Sequence, residues 1–318
     1  MRFGKTLFAA ALALVAAGAS AQAWPAKPIR LVVPFAVGSG TDIIARVIAE
    51  ELQRGLGTNI VVDNKPGASG QIAADIVAKA PPDGYTLMMA TNTSHSANPS
   101  LFRKLSYDPV KDFTPIARTN NFLFLLVVNA ESPVRTTAEL VARAKANPGK
   151  LTYAFGNSTG QVAGAHFARA GGFEAVAVPY KSTPPALTDL SGNQVDYMFV
   201  DWASSQSYIR GGKLKAIAVQ ADRRSSLMPE LPAAGEIVPG FDFTIWGGLL
   251  GPAGLPREIV ARLSTETLKV VASSAVKEKM AGLGIEPAPM DAETFARFVV
   301  EQIDAWGAKI RQAGIQPE

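Results

Sequence analysis

The clearest chemical feature of this chain is a glycine-rich corner, Gly38-Ser39-Gly40-Thr41-Asp42. It joins a β-forming stretch at 29–35 to a helix-forming stretch, and Thr41 or Asp42 is the expected N-cap. The first turn of a helix presents unpaired N–H groups, and glycines let a ligand approach them closely. The corner therefore predicts an anion site, and we expect a carboxylate there. A glycine turn that binds nothing is the alternative.

Ser158 lies in a second chemical motif, because residues 156–160 read Gly-Asn-Ser-Thr-Gly and match the G-x-S-x-G pattern of a nucleophile elbow. An α/β-hydrolase needs an acid and then a histidine after this serine. His95 precedes Ser158, and His166 follows it with no Asp or Glu between them. We therefore expect Ser158 to donate a hydrogen bond. An exported serine esterase that uses Ser158 is the alternative function.

Other chemistries lack their residue patterns. The chain has two histidines and no cysteine, and it contains no H-E-x-x-H or EF-hand spacing. A P-loop would need G-K-[ST], and the dinucleotide pattern would need a glycine where Ile43 stands. Lysines and arginines are dispersed, and the formal net charge is only +4. We expect no metal, no cofactor and no nucleic-acid partner.

Four polar loops follow predicted strands and must be positioned by them. They lie at 38–42, 91–95, 156–161 and around Asp201. The alternation of strand, loop and helix predicts an α/β fold with a parallel sheet. In such sheets, ligands bind beyond the carboxyl ends of the strands, so we expect the four loops to converge on one crevice.

The length of 318 residues is sufficient for two domains. Two apolar, β-rich segments at 122–128 and 243–250 are predicted strands where the chain crosses from one domain to the other. The stretch at 105–121 is predicted to be irregular. Two periodic helical segments, at 257–273 and 294–313, are expected to pack back on the first domain.

The N-terminus is a predicted signal peptide at 1–23. Arg2 and Lys5 precede an apolar run at 6–17 and small residues that end at Ala23, the expected last residue removed. The run is too short to span a bilayer, which needs about 20 residues. Because the chain has no cysteine, it carries no lipoprotein anchor and no disulfide. We therefore expect an exported, periplasmic protein.

Beyond these features, ordered motifs along essentially the whole mature chain resemble one known family, the Bug/TctC receptors of tripartite tricarboxylate transporters. The resemblance is specific because many motifs occur in the same order. The motifs are at residues 24–29, 33–42, 63–68, 82–87, 107–113, 146–151, 178–181, 186–190 and 252–256.

The resemblance implies a two-domain periplasmic binding protein of the Venus-flytrap, type II-like class, with a hinge that is crossed twice. The first domain would comprise 24–121 and 245–318, and the second would comprise 122–244. The protein would close on a small organic carboxylate without catalysis and deliver it to a membrane permease. We expect a monomer. A receptor that feeds a sensor instead of a transporter stays open.

The family's binding residues can be carried over by motif. Their carboxylate ligand is held largely by backbone N–H groups, hydroxyls and ordered waters. The resulting ligand-binding residues are Phe35, Gly38, Ser39, Gly40, Thr41, Thr91, Asn92, Ser158, Thr159, Gln161 and Asp201.

Departures from the family pattern leave the ligand open. Val37 and Ser39 stand where the family often has proline or glycine, and Gln161 stands where it often has histidine. The acid after the strand ending near Phe199 is Asp201, whereas many relatives carry it at the position of Val200. Dicarboxylates, tricarboxylates, aromatic acids and amino acids therefore all stay candidates.

Overall fold

The computed structural model describes residues 24–318, which form two β-sheets flanked by helices. The predicted signal peptide lies outside the described residues. The strands are β1 (Ile29–Val33), β2 (Ile60–Asn64), β3 (Thr86–Thr91), β4 (Phe113–Phe122), β5 (Phe124–Asn129), β6 (Leu151–Phe155), β7 (Ala175–Pro179), β8 (Tyr197–Asp201), β9 (Leu214–Val219), β10 (Trp246–Pro252) and β11 (Ile285–Met290).

Among residues 24–318, no helix is long and apolar enough to cross a membrane. A π-helical turn at Thr93–Ala97 and 3₁₀ turns at Ala68–Gly70 and Ala234–Glu236 supplement the α-helices. The α-helices are α1 (Gly40–Leu56), α2 (Gln71–Ala78), α3 (Asn98–Leu101), α4 (Thr137–Ala146), α5 (Ser158–Gly171), α6 (Thr183–Ser191), α7 (Trp202–Arg210), α8 (Arg257–Ala272), α9 (Ser274–Gly282) and α10 (Ala292–Gln312).

Each sheet is the centre of one domain. The first domain has the strand order β11-β4-β10-β3-β1-β2, and the second has β7-β6-β8-β5-β9. Within each sheet, three strands pair in parallel, β2-β1-β3 and β7-β6-β8, whereas β10 and β5 pair antiparallel with both of their neighbours. The expectation of a parallel sheet is therefore wrong, because both sheets are mixed.

The antiparallel strands are the ones that follow each crossing between the domains. Leu123 alone separates β4 from β5, and the chain returns to the first sheet at β10. The backbone N–H of Phe122 donates to the carbonyl of Ile245 at 2.9 Å, so the two crossings lie side by side. Strands β10 and β5 enter their sheets at the interdomain end, whereas their neighbours β3 and β8 end there. The neighbouring strands therefore run in opposite directions, and they pair antiparallel. The doubly crossed hinge is confirmed.

The interior of each domain is apolar on both faces of its sheet. In the first domain, Ile44 and Leu249 belong to one cluster and Trp246 and Phe295 to another. A further cluster spans both domains, because Trp306 of α10 packs with Val162 of α5 and with Phe124 and Ile245 of the crossings. Helices α8 and α10 pack on β4 of the first sheet, as expected for the C-terminal segments.

Two strands were not expected from the sequence. The stretch at 105–121 contains most of β4, whose interior holds several polar side chains. The Thr119 hydroxyl donates to the carbonyl of Gly247 at 3.1 Å, and the Arg118 guanidinium lies 4.1 Å from the centre of the Phe298 ring. The other strand, β11, lies at the edge of the sheet, where its prolines break no interior ladder.

Candidate functional site

A small cavity lies between the two domains at the ends of β1, β3 and β8 and at the start of α5. Its volume is about 20 Å³, against roughly 10–15 Å³ for one ordered water. The loops that the sequence predicted to converge therefore do meet in one crevice. Its wall consists of Phe35, Ser39, Gly40, Thr41, Thr91, Asn92, Thr93, Phe122, Phe124, Asn157, Thr159, Thr183, Asp201 and Ile245.

The start of α1 forms the first wall, but its cap differs from the expected one. Ser39, rather than Thr41 or Asp42, is the N-cap, and its hydroxyl accepts from the N–H of Asp42 at 3.2 Å. The Asp42 carboxylate turns back to accept from the N–H of Gly38 at 3.0 Å and pairs with Arg46. Two donors of the predicted anion site are therefore used within the chain.

The residues before α1 reach toward the second domain. The N–H of Ala36 donates to the Ser182 hydroxyl at 3.0 Å, a hydrogen bond between the domains. Gly38 has a φ of +83° and lies beside Pro184, outside the cavity wall. Phe35 is buried and belongs to the cavity wall, so it lies both in the interior and at the site.

The end of β3 supplies the second wall, where a π-helical turn replaces the expected polar loop at 91–95. The Asn92 amide donates across the cleft to the Thr159 hydroxyl at 2.8 Å, and the Ser158 hydroxyl donates to that of Thr93 at 2.9 Å. The Thr91 hydroxyl oxygen is buried on the cavity wall without a hydrogen-bond partner. This group is available to a ligand.

The start of α5 supplies the third wall. Asn157 is its N-cap, and the side-chain oxygen accepts from the N–H of Gly160 at 2.9 Å. Thr159 lines the cavity, whereas Ser158 is fully buried and bonded to Thr93. Gln161 lies on a separate cavity of about 420 Å³, beside Ser69, Lys181 and the C-terminal residue.

Asp201 closes the fourth side. It caps α7, and its Oδ1 accepts from the N–H of Ser204 at 2.8 Å and from the Ser204 hydroxyl at 2.7 Å. Burial raises the pKa of the Asp201 carboxyl, while the hydrogen bonds from Ser204 lower it. Across the cleft, a β-carbon at Gly40 would collide with the same carboxylate, so the two domains meet closely here.

Neither histidine is hydrogen-bonded to Ser158, so the described residues assemble no serine triad. The His166 ring bonds through Nε2 to the carbonyl of Pro239 at 2.8 Å. His95 is fully buried, its Nδ1 lies 2.9 Å from the Ser94 hydroxyl, and burial lowers its pKa to about 3. Within residues 24–318, no cluster of three or more His, Cys, Asp or Glu is placed to hold a metal ion.

The structure thus brings most of the residues named from the sequence to one cavity. Gly38, Ser158 and Gln161 do not line it. Those that line it are Phe35, Ser39, Gly40, Thr41, Thr91, Asn92, Thr159 and Asp201.

Six wall residues were missed by the sequence analysis. Asn157 belongs to the same motif as Ser158, and the Pro184-Pro185 pair marks the helix start at Thr183, so both carried a signal. Thr93 was inside a recognised loop. The other three, at the interdomain crossings, carried only an apolar pattern, and they are Phe122, Phe124 and Ile245.

Two mixed α/β domains joined by a double crossing, with a polar cavity between them, define a periplasmic binding protein. The sequence model of the tripartite tricarboxylate transporter family receptor, TctC, matches residues 44–315. Protein BugT of Bordetella pertussis is 32% identical over 311 residues, which cover 96% of this chain and 94% of BugT. The chain therefore belongs to the TctC receptor family, and the predicted resemblance and fold class are confirmed.

Solved structures of similar proteins support the assignment to this family. Rpa4515 of R. palustris, determined with adipate, has a TM-score of 0.90 and 34% identity over 93% of this chain and 100% of that one. MatC of Rhodopseudomonas palustris, determined with bound malate, has a TM-score of 0.84 and 33% identity over 90% of this chain and 100% of that one. Carboxylates are thus bound by close structural relatives, and the family is one of extracytoplasmic solute receptors.

Proposed function

We propose that this chain is a periplasmic receptor that captures a small organic carboxylate between its two domains and delivers it to a tripartite tricarboxylate-type permease. The composition of the cavity carries the proposal. Hydroxyl and amide groups come from both domains, and the described residues place no lysine, arginine or histidine on its wall. Hydrogen bonds to a charged group contribute about 1.5–3 kcal/mol each, so a few such donors account for micromolar binding, about 8 kcal/mol.

The proposed binding residues are those that the sequence indicated and that line the cavity, together with Ser158, which fixes Thr93 beside it. Gly38 and Gln161 would act at the rim. We propose domain boundaries at 121/122 and 244/245, where the chain passes from one sheet to the other. Leu123, which separates β4 from β5, lies within two residues of the first boundary and supports its approximate position.

The cavity is too small in this arrangement for an acid such as adipate. A ligand pocket for a small organic molecule is usually about 300–1,000 Å³, against about 20 Å³ here. We therefore expect the ligand-holding form to keep the two domains further apart than they are here, yet closed over the ligand and Asp201. The contacts that would lengthen are the hydrogen bonds across the cleft, among them Asn92 to Thr159 and Ala36 to Ser182.

Export completes the proposal. Removal of 1–23 would release a monomer into the periplasm without a lipid anchor, because the chain has no cysteine for one. The receptor would act without catalysis. The hydrogen bond between Ser158 and Thr93, with both histidines bonded elsewhere, supports this part.

Calorimetric titration with a panel of acids tests the function. The panel is adipate, malate, citrate, benzoate and aspartate, which covers the open ligand classes. We expect saturable, roughly micromolar binding of at least one acid and no binding of its fully methylated ester, in which no carboxylate is left. A valine at Ser39 should abolish binding because its branched side chain blocks the cavity wall.

The matched control is Thr188→Val, an exposed threonine on α6 that lies outside the cavity and should leave the affinity unchanged. Two results would contradict the proposal. One is the absence of binding by every acid in the panel. The other is turnover of a chromogenic ester that disappears in Ser158→Ala, which would favour the esterase.

A further inference from the structure

Asp201 is the ionisable side chain of the cavity, since every other residue on the wall is neutral. Its side chain is buried, with a residue exposure of 4%. The Ser204 N–H and hydroxyl are the donors that reach its Oδ1. No salt bridge joins Asp201 to a lysine, arginine or histidine of the part of the chain that the structure describes.

The charged groups on the surrounding elements are engaged elsewhere. On α1, the Asp42 carboxylate pairs with Arg46 and accepts from Gly38. On α7, the Arg210 guanidinium lies 5.4 Å from the centre of the Trp202 ring.

The other neighbouring elements bring no counter-charge either. On α6, Asp189 accepts from the Tyr180 hydroxyl at 2.6 Å. After β3, His95 is buried, and its lowered pKa of about 3 keeps the ring neutral. The first turn of α5 and all of β5 carry no charged side chain, and the Lys215 ammonium on β9 donates to two backbone carbonyls of the loop at 130–132.

The approach of the domains is what encloses this carboxylate. Gly40 lies so close to it that even a methyl group there would collide with Oδ1. An ionised carboxylate that loses water without gaining a cation is strongly disfavoured, so such a group takes up a proton instead. Burial accordingly raises the pKa of Asp201. A ligand carboxylate beside it would act in the same direction, since two adjacent carboxylates share one proton.

We propose that Asp201 takes up a proton when the two domains close, so that the receptor captures its carboxylate together with one proton. The ligand part of this inference rests on the proposed function, whereas the coupling of closure to protonation does not. The sign follows from proton linkage: the closed form binds more protons than the open form, so a fall in pH favours closure. The dependence is at most tenfold in the closed-to-open ratio per pH unit.

The first experiment measures closure without a ligand. The chain has no cysteine, so Ile72→Cys and Val176→Cys introduce one spin-label site in each domain, at positions 47% and 49% exposed. Double electron–electron resonance then gives the distance between the labels from pH 5.5 to 8.5. We expect the short-distance population to rise as the pH falls.

The decisive variant is Asp201→Asn. Asparagine is a good N-cap, keeps an acceptor for Ser204 and mimics the protonated acid, so α7 should stay folded. We expect its distances to be independent of pH. The matched control is Asp189→Asn, an acid of the same domain outside the cavity wall, which should keep the pH dependence. A pH-independent population in the labelled chain that keeps Asp201, or an unchanged dependence in Asp201→Asn, would overturn the proposal.

The second experiment measures protons directly. Adipate and malate are titrated calorimetrically at one pH in buffers of different ionisation enthalpy, which gives the protons taken up per acid bound. We expect an uptake approaching one, and none in Asp201→Asn. Normal binding without uptake would refute proton capture. Failure of both acids to bind would count against the proposed function, and the spin-label distances would still decide the coupling.

Discussion

Helices α1 and α5 begin at equivalent points of the two sheets, yet they offer an anion different surroundings. Each follows the middle strand of a parallel trio, β3-β1-β2 in one domain and β8-β6-β7 in the other. The first turn of α1 contains Asp42, whose carboxylate takes the N–H of Gly38, whereas the first turn of α5 contains no acid. The partial positive charge of a helix start is therefore unopposed at α5. We therefore expect the start of α5, rather than that of α1, to be the better partner for an anion.

Gly38 and Gly156 precede α1 and α5, and they differ in how closely other atoms approach them. Substitution of these glycines gives the largest expected effect on stability. A β-carbon at Gly156 would collide with the backbone of Ser182 and Thr183, whereas the nearest atom to one at Gly38 is in Pro184, at 3.9 Å. We expect Gly156→Ala to lower the free energy of unfolding by about 3 kcal/mol, because the contact is with backbone.

Gly38→Ala serves as the paired variant. The alanine would be unfavourable only because of the φ of +83°, so we expect the free energy of unfolding to fall by about 1 kcal/mol. Urea denaturation followed by circular dichroism measures both. Equal losses, or a larger loss for Gly38→Ala, would show that the two corners are not packed as differently as the contacts indicate.

Strands β3 and β8, which occupy the same place in the two trios, also end differently. Buried His95 follows β3, whereas Asp201 is the last residue of β8. Burial lowers the pKa of His95 from an ordinary 6.5 to about 3. As the pH falls below 6.5, the unfolded chain gains a proton that the folded chain does not, so stability decreases. From pH 8 to pH 5 this group should remove about 2 kcal/mol.

Urea denaturation at pH 8 and pH 5, compared between the natural chain and His95→Gln, isolates this contribution. Glutamine fits a polar site but does not titrate, so the variant should lose about 2 kcal/mol less on acidification. The same loss in both proteins would mean that His95 is not held neutral. The first domain would then owe its acid sensitivity to other groups.

The sequence was informative wherever an apolar strand ran into a polar corner. The ends of β1, β6 and β8 were placed within a few residues, since glycine, asparagine and serine there interrupt the apolar run. It was uninformative for β4, because that strand has a polar interior and packs through contacts distant in sequence, such as the hydrogen bond from Thr119 to Gly247. The direction of β5 and β10 depends on the interdomain crossings, which no local pattern encodes.

The candidate site shows the same division. Residue types and spacing identified the loops, but not which side chains of each loop face the ligand. Ser39, Thr41 and Asp42 are all good N-caps, and only the return of the Asp42 carboxylate to Gly38 explains why Ser39 is used. At α5, the hydrogen bond to Thr93 turns Ser158 away from the cavity, and Thr159 takes the wall position.

Two threonines on the cavity wall, Thr159 and Thr41, test the comparison most directly. Valine has nearly the same shape but no hydroxyl. Thr159→Val should weaken carboxylate binding about tenfold, or 1.4 kcal/mol, because it removes a hydroxyl from the wall at the start of α5, whose first turn contains no acid. Thr41→Val should weaken it only about twofold, because the Asp42 carboxylate lies beside that wall and already disfavours an anion there. Calorimetry with the tightest-binding acid measures both. If Thr41→Val were the more damaging change, the anion would lie at α1, and the paired Arg46 would have to neutralise Asp42 completely.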